Sequence, residues 1–255
     1  MFVNISQAEG LKQLVSVIAA GRQPNEFCSK LALADLGIKV PKGRVIEVGD
    51  IGAPSLKDLE GPLAVKLMSP EVLHKTDLGA VTTGVSAAEV SAVCQAMLSS
   101  PLLSDVSIEG FLVEEMARPG HEVVIGGLHD ATFGPVVMVG IGGVFLEVLN
   151  DVAFRICPID AADARSMLGQ LRGFELLTGH RGSEPANIDA LVTAIMAIGG
   201  PDGLLMGLHE YQLSVDVNPV FVNAEGAVAV DAMIRPEARP GTPSSSHDGA
   251  YHANV

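Results

Sequence analysis

Four residues with reactive or charged side chains, His74, Lys75, Thr76 and Asp77, directly follow one another after the apolar segment 62–68. An imidazole can accept a phosphoryl group on a ring nitrogen, and a carboxylate such as that of Asp77 can orient the ring. Lys75 would then neutralise the phosphate. Solvent-exposed connections have the same composition, so this segment alone leaves both interpretations open.

A lysine lies in the middle of the apolar segment PLAVKLM, residues 62–68. In a strand, Ala64, Lys66 and Met68 would lie on one face. A lysine in such a strand has to reach solvent, pair with an acid or contact a ligand anion. The sequence leaves a solvent-exposed edge lysine and an anion-binding lysine equally open.

Two acids lie in successive apolar segments, Glu114 in FLVEEM and Glu122 in HEVVIGGL. We expect them on neighbouring strands, where a carboxylate can contact a ribose hydroxyl while the backbone of residues 113–116 contacts an adenine edge. Glu114 and Glu115 face opposite ways in a strand, so one of them reaches a cleft. Surface carboxylates on an exposed hairpin are the alternative.

The segment SVDVNPVFVNAEGAVAVDAMI predicts a hairpin with a geometric signal. Asp216 and Asn218 are two residues apart and share a strand face. A two-residue turn at 225–226 would place Asp231 opposite Val220 and make Asn218 and Asp231 diagonal neighbours, about 7–8 Å apart. A hydrated Mg²⁺ can bridge that distance, and oxygen ligands favour Mg²⁺ over Zn²⁺. An edge hairpin with outward polar residues fits the same pattern.

The composition excludes two broad classes of protein. The chain has 255 residues, of which 48% are hydrophobic and 18% charged, so it can fold around a core. Its formal net charge of −14 argues against a protein that coats nucleic acid, because phosphate backbones require clustered positive charge. An acidic protein can still bind a nucleotide when a few lysines and a metal ion offset the phosphates.

Neither a membrane span nor a leader peptide is expected. The longest apolar stretch, residues 131–146, contains four glycines and a proline and is too short for a comfortable spanning helix. The first residues lack the basic start and apolar run of a signal peptide. The three cysteines are scattered, which is typical of reduced thiols, so we expect a cytoplasmic location.

Hydrophobic periodicity predicts an α+β fold without the regular alternation of a doubly wound sheet. Helices are predicted over residues 5–20, 25–37, 86–98, 160–171 and 187–200, and Asn25 is the predicted N-cap of the second. Strands are predicted over residues 62–68, 79–85, 111–116 and 151–159, with one hairpin of 121–128 and 133–142 that turns at His129-Asp130 and a second one near the end. P-loop and Rossmann signatures are absent from the sequence.

Several segments, taken together in their order along the chain, resemble one known family. They are NEFCSKLALADLGIKVP, LAVKLMSPEVLHKTDLGAV, FLVEEMARPGHEVVIGG, DATFGPVVMVGIGGVFLEVLNDVAFRICPI, LLTGHRG and VDVNPVFV with AVAVDAMI. The sequence resembles the ATP-grasp β subunit of NDP-forming acyl-CoA synthetases, notably of ADP-forming acetyl-CoA synthetase. More remotely it resembles the succinyl-CoA synthetase β subunit. The matching segments cover roughly residues 22–235.

The resemblance implies an ATP-grasp fold, in which two α+β lobes clasp a nucleotide. We expect an N-terminal helix in residues 1–21, an N-terminal lobe in 22–110, a C-terminal lobe in 111–238 and a flexible tail in 239–255. The implied cofactors are ATP or ADP and Mg²⁺.

The resemblance also implies roles for individual residues. His74 matches a histidine that takes up the phosphoryl group and passes it to ADP, and Asp231 matches a catalytic magnesium ligand. The full set of further assignments is Lys66, Lys75, Glu114 and Glu122 on the nucleotide, Met116 and Ala117 at the adenine hinge, and Asn218, Asp231 and Asp216 on Mg²⁺.

The implied activity interconverts acyl-CoA, ADP and phosphate with a carboxylic acid, CoA and ATP through the phosphohistidine. A CoA-binding domain does not fit beside an ATP-grasp fold in 255 residues, so we expect a CoA-binding α subunit as partner in a hetero-oligomer. One alternative is a stand-alone ATP-grasp carboxylate ligase that forms an acyl phosphate. Another is a catalytically silent nucleotide-binding subunit, which Ser214 leaves open because the family usually has an acid there.

Overall fold

The structure is a computed structural model, and it describes residues 8–70, 72, 75, 77–143, 149–179 and 184–237. The predicted phosphoryl acceptor His74, its neighbour Thr76 and the predicted tail 239–255 lie outside the described residues.

Two helices begin the described chain, α1 (Glu9–Ala19) and α2 (Glu26–Asp35). Both were predicted from the sequence, and Leu14 and Leu33 are among the most deeply buried side chains. The side chain of Asn25 accepts a hydrogen bond from the backbone N–H of Cys28 and thereby caps α2. The predicted cap is confirmed.

A small antiparallel sheet follows, with strands in the order β1-β4-β2-β3. Its elements, with the helix that covers it, are β1 (Gly43–Ile46), β2 (Leu63–Met68), β3 (Val81–Val85), α3 (Val90–Leu98) and β4 (Gly110–Glu115). Val65 and Leu67 pack into the core beneath this sheet, which also contains the fully buried Phe111. Lys66 therefore faces the opposite side, as strand alternation predicts.

The larger antiparallel sheet has the order β10-β8-β5-β6-β7, with β9 paired to β8. Its strands are β5 (His121–Asp130), β6 (Gly134–Ile141), β7 (Val152–Ile156), β8 (Leu213–Asn223), β9 (Gly226–Ala229) and β10 (Met233–Pro236). The helices between β7 and β8 are α4 (Ala161–Gln170), α5 (Phe174–Leu177), α6 (Ile188–Gly199) and α7 (Leu204–Gly207). Short 3-10 turns lie at Val48–Asp50, Pro101–Leu103 and His209–Tyr211.

The predicted turn at His129-Asp130 is wrong, because both residues belong to β5 and pair with Pro135 and Gly134. The chain reverses over residues 131–133 instead. The cause is local, since the Asp130 carboxylate accepts hydrogen bonds from the backbone N–H groups of the second and third residues after it. This side-chain bond closes the loop later than the sequence pattern suggests.

The expectation that Glu114 and Glu122 lie on neighbouring strands is also wrong. Glu114 is in β4, which has β1 on one side and β2 on the other, so no free edge remains for β5. Glu122 is in β5 of the larger sheet. The small sheet thus extends to Glu115, beyond the lobe boundary expected after residue 110.

Two hydrophobic cores correspond to the two sheets. The smaller one contains α3 and the inner face of β2 and β4. The larger one contains the helices that follow β7 and, in addition, apolar residues of α1 and α2. Helix α2 was expected in the N-terminal lobe, but it packs on the larger core, and its charged face reaches the small sheet. This position places α2 between the two sheets.

One helical stretch in the described residues, Ile188–Gly207, has the length and apolar composition of a membrane span. In its most apolar window 61% of the residues are buried inside the protein, which is typical of a core helix. The three cysteines are free and buried, and burial raises the pKa of each thiol to about 11.

Candidate active site

A cluster of charged side chains lies between the two sheets. Lys66, Glu114, Glu26 and Lys30 expose only 4%, 2%, 7% and 2% of their surface. Charged groups are rarely buried to this extent unless they are paired. Six residues form what we call the charged cluster: Glu26, Lys30, Lys66, Lys75, Glu114 and Asp231.

Helix α2, both sheets and the loop that carries Lys75 supply the cluster. Glu26 and Lys30 lie one turn apart on α2, with 2.8 Å between the carboxylate and the ammonium. Lys66 and Glu114 lie on the outer face of the small sheet, where β2 and β4 pair in register. Asp231 follows β9 in the larger sheet.

Lys66 joins these elements directly. Its Nζ lies 2.6 Å from Glu26 Oε1 and 3.1 Å from Glu114 Oε2, and it donates a hydrogen bond of 2.7 Å to the carbonyl oxygen of Val230. The lysine is therefore paired with acids and does not reach solvent. A polyphosphate that entered here would replace these acids as its partners.

Lys75 forms the second link across the cluster. Its Nζ lies 2.7 Å from Glu26 Oε2 and 3.0 Å from Asp231 Oδ2. This contact brings the residue next to His74 in sequence into the charged cluster. The side chain of Asp231 is about one-third exposed, so this side of the cluster remains open to solvent.

The electrostatics favour the charged forms of the central groups. Burial alone would raise the pKa of Glu26, but Lys30, Lys66 and Lys75 outweigh it and hold the pKa well below its usual range. Burial would lower the pKa of Lys66, but Glu26 and Glu114 raise it above its ordinary value. The pKa of Lys75 is raised in the same way, by Glu26 and Asp231 against burial. Burial outweighs Glu26 and Glu114 at Lys30 and lowers its pKa. The contacts of Glu26 with Lys66 and Lys75 are ion pairs.

A cleft of about 560 Å³ is lined by Ala34 of α2 and by none of the six residues of the charged cluster. Its walls come from residues 37–42, from the segment after β4 and from Val228 on β9. Met116 and Ala117, the predicted adenine hinge, both line it, and Met116 is 43% exposed. The volume and the partly apolar lining are typical of a pocket for a small organic ligand.

The hairpin that carries the predicted metal ligands has a different register from the predicted one. Asn223 pairs with Gly226, so residues 224–225 form the turn in place of 225–226. The side chain of Asn223 accepts a hydrogen bond from the backbone N–H of Glu225 and closes the turn one residue earlier. Asn218 and Asp231 are therefore directly opposite each other and not diagonal neighbours. The backbone N–H of Asn218 donates a hydrogen bond of 3.1 Å to the carbonyl oxygen of Asp231.

Asp216 and Asn218 lie on the exposed face of β8, while Val215 and Val217 are buried. This alternation is as predicted. No group of three or more His, Cys, Asp or Glu side chains in the described ranges is arranged to hold a metal ion. The donors are thus carboxylate and amide oxygens, which fit an Mg²⁺ that takes its remaining ligands from phosphate and water. It does not fit a metal held by the protein alone.

Comparisons with known proteins assign the fold. A family model described as an ATP-grasp domain matches residues 17–235. The β subunit of ADP-forming acetate–CoA ligase II from Pyrococcus furiosus is 37% identical over 234 residues, which cover 89% of this chain and 98% of that protein. The chain belongs to the ATP-grasp β subunits of ADP-forming acyl-CoA synthetases. This β subunit is the nucleotide-binding part of an acid–thiol ligase, as the resemblance implied.

Further relatives agree with this assignment. The β subunit of ADP-forming acetate–CoA ligase I from the same organism is 33% identical, over 77% of this chain and 84% of that protein. Among solved structures, dinucleotide-forming acetyl-coenzyme A synthetase 1 of Ca. Korarchaeum cryptofilum, in complex with coenzyme A and Ca-AMPCP, has a TM-score of 0.81 and 34% identity. The matched region covers 89% of this chain and 99% of the Korarchaeum chain.

Most residues assigned from the sequence lie in or beside the charged cluster or the cleft. Lys66, Lys75, Glu114 and Asp231 belong to the charged cluster. Glu122 does not belong to it. Its side chain is exposed on β5, and its backbone carbonyl accepts a hydrogen bond from Gly142.

Two residues of the site, Glu26 and Lys30, were missed by the sequence analysis. Their spacing of four residues on a helix is typical of an exposed ion pair, which is the opposite of what the structure shows. The only signal was that α2 is otherwise apolar at the neighbouring buried positions Cys28, Ala32 and Leu33.

Proposed function

We propose that this β subunit, together with a CoA-binding α subunit, interconverts acyl-CoA, ADP and phosphate with a carboxylic acid, CoA and ATP through a phosphohistidine at position 74. The observation that carries the proposal is a buried lysine pair, Lys66 and Lys75, in a fold whose cleft of about 560 Å³ is lined by the segment that follows Glu114. A lysine pair and a partly apolar cleft suit a ligand with an aromatic base and a phosphate chain.

The nucleotide would lie with its base against Met116 and Ala117 and its phosphates towards Lys66 and Lys75. Glu114 then takes part by orienting the Lys66 ammonium, which it approaches to 3.1 Å. The Korarchaeum relative, solved with Ca-AMPCP, supports nucleotide binding by this fold.

Asp216, Asn218 and Asp231 would hold the Mg²⁺ that accompanies the nucleotide. When bound, Mg²⁺ supplies positive charge that offsets the charge of the phosphoryl oxygens. The chain's own contribution is to fix the oxygen donors on one exposed face of β8 and on the facing residue 231.

His74 would carry the phosphoryl group between the acyl site of the α partner and the nucleotide site of this chain. In the direction of ATP synthesis, a β-phosphate oxygen of ADP attacks the phosphorus, and the phosphorus–nitrogen bond breaks, which returns neutral imidazole after proton balance with water. Two observations support this role. The next residue, Lys75, contacts Asp231, and one structure of the Korarchaeum relative is described with its phosphohistidine segment pointing towards the nucleotide binding site.

The α partner would supply CoA and the acyl site. The relatives named as β subunits match this chain over almost their whole length. The Methanocaldococcus jannaschii enzyme, which is named as one ligase, is matched over only 33% of its length, so it has a large remainder. Exposed apolar side chains on the larger sheet, Leu128, Phe154 and Ile156, also suit contact with another chain.

Reconstitution tests the proposal. We expect the chain mixed with its cognate α subunit to form ATP from acyl-CoA, ADP and phosphate, and neither chain alone to do so. A luciferase assay of ATP measures this directly. Turnover of ATP with an acid and an amine by the isolated chain would contradict the proposal and identify a stand-alone ligase.

Replacing Asp231 with asparagine should weaken ADP binding in the presence of Mg²⁺ by about tenfold, because one charged metal ligand is lost. In EDTA the same variant should bind ADP at least as tightly as the wild type, because Lys75 loses a competing acid. Calorimetry in both buffers measures the two affinities. The control is Asp189→Asn, which removes an exposed acid that pairs with Arg165 away from the site. Equal losses in both buffers would remove Asp231 from the metal site.

A further inference from the structure

The charged cluster carries no net positive charge. Its three lysines, Lys30, Lys66 and Lys75, are matched by the carboxylates of Glu26, Glu114 and Asp231. Burial lowers the pKa of Lys30, which makes the cluster no more positive than this formal balance. A polyphosphate that approaches without a metal ion therefore meets a site without excess positive charge, although lysines line it.

Glu26 is the centre of this balance. Its carboxylate contacts all three ammonium groups, at 2.8 Å from Lys30, 2.6 Å from Lys66 and 2.7 Å from Lys75. It lies in the first turn of α2, where the helix dipole also favours a negative charge. None of the roles proposed above involves this residue.

Each lysine has a second partner besides Glu26. Lys30 donates to both oxygens of Glu114, at 2.8 and 2.7 Å. Lys66 keeps Glu114 and the Val230 carbonyl, and Lys75 keeps Asp231. Neutralising Glu26 therefore adds one positive charge to the site without leaving any ammonium unpaired.

We propose that Glu26 is a positioning residue that cancels the charge of the phosphate-binding lysines, so that the site accepts the nucleotide only together with a divalent cation. The inference rests on the proposed role of Lys66 and Lys75 as phosphate ligands. A nucleoside diphosphate without metal brings uncompensated negative charge to a neutral cluster, whereas the metal complex brings much less. Glu26 thus gives the site its preference for the metal complex of the nucleotide.

Glu26→Gln tests the inference, because glutamine keeps the shape and removes the charge. ADP affinity is measured by calorimetry on the full chain, in the assembly in which it purifies, first in EDTA and then with Mg²⁺. We expect metal-free ADP to bind the variant about tenfold more tightly than the wild type, which is the effect of one added charge at a partly buried site. Affinity for the magnesium complex should change by less, about threefold.

Lys30→Gln is the matched variant of opposite sign, since Lys30 belongs to the cluster but has no proposed contact with the nucleotide. It should weaken metal-free ADP binding by about tenfold. Glu26→Asp should restore wild-type behaviour. Glu109→Gln is the control for a general charge effect, because this exposed acid lies near α2 and hydrogen-bonds Asn25.

The outcomes are distinct. If folded Glu26→Gln binds metal-free ADP no more tightly than the wild type, Glu26 does not set the charge of the site and the inference is wrong. If that variant does not fold, Lys30→Gln decides, and an unchanged ratio of the two ADP affinities overturns the inference. A wild type that binds ADP in neither buffer overturns the proposed function itself.

Discussion

Replacing His74 with asparagine should abolish ATP formation from acyl-CoA, ADP and phosphate, by about 10³-fold or more, because asparagine has no nitrogen that can accept a phosphoryl group. ADP binding should stay within about twofold of the wild type, since the base and phosphates are assigned to other residues. Labelling with ATP that carries ³²P on the γ-phosphate should mark the wild-type chain and not the variant.

The control for His74→Asn is His209→Asn, which changes an exposed histidine in a 3-10 turn remote in sequence from the cluster. It should keep full activity and labelling. Acid-labile, base-stable label on the wild type would identify phosphohistidine. Full activity of His74→Asn would refute the relay and favour direct transfer to the acyl substrate.

Local periodicity was sufficient to predict most elements of the fold. Asn25 and the apolar spacing after it predicted α2, and the apolar run at 62–68 predicted β2. Both signals are local, because a helix cap and strand alternation depend on residues only a few positions apart. Both hairpin turns were predicted at the wrong residues. The side chains of Asp130 and Asn223 accept hydrogen bonds from nearby backbone N–H groups, and these bonds select turn positions that the strand pattern alone does not indicate.

The resemblance placed Lys66, Glu114 and Asp231 in one site, and the structure brings them together. What the sequence did not reveal is that Glu26 and Lys30 complete this cluster. A glutamate and a lysine four residues apart on a helix are usually exposed, and their burial depends on how α2 lies between the two sheets. That placement is a tertiary contact of high sequence separation, which local patterns do not encode.

Replacing Lys66 with methionine should lower kcat/KM for ADP by about 10²-fold or more, because a phosphate-binding charge is lost from a water-poor site. The change also leaves Glu26 and Glu114 one cation short, and an unbalanced buried ion pair costs about 3–5 kcal/mol of folding stability. Lys66→Arg is not expected to restore activity, since the ammonium has contacts at 2.6, 2.7 and 3.1 Å that leave no room for a guanidinium. Thermal unfolding and steady-state kinetics measure the two effects separately. Lys12→Met, on the exposed side of α1, is the control.

The double variant Lys66→Met/Glu26→Gln separates the two effects of the lysine, because removing one charge of each sign makes the cluster neutral again. If Lys66 binds phosphate, the double variant should recover most of the lost stability, but in Mg²⁺ it should regain only the roughly threefold in ADP affinity that Glu26→Gln adds by itself. If Lys66 only balances buried acids, stability and affinity should recover together. The second result would move the phosphate site away from β2, and with it the position proposed for the nucleotide, since Lys66 is the phosphate ligand on which that position rests.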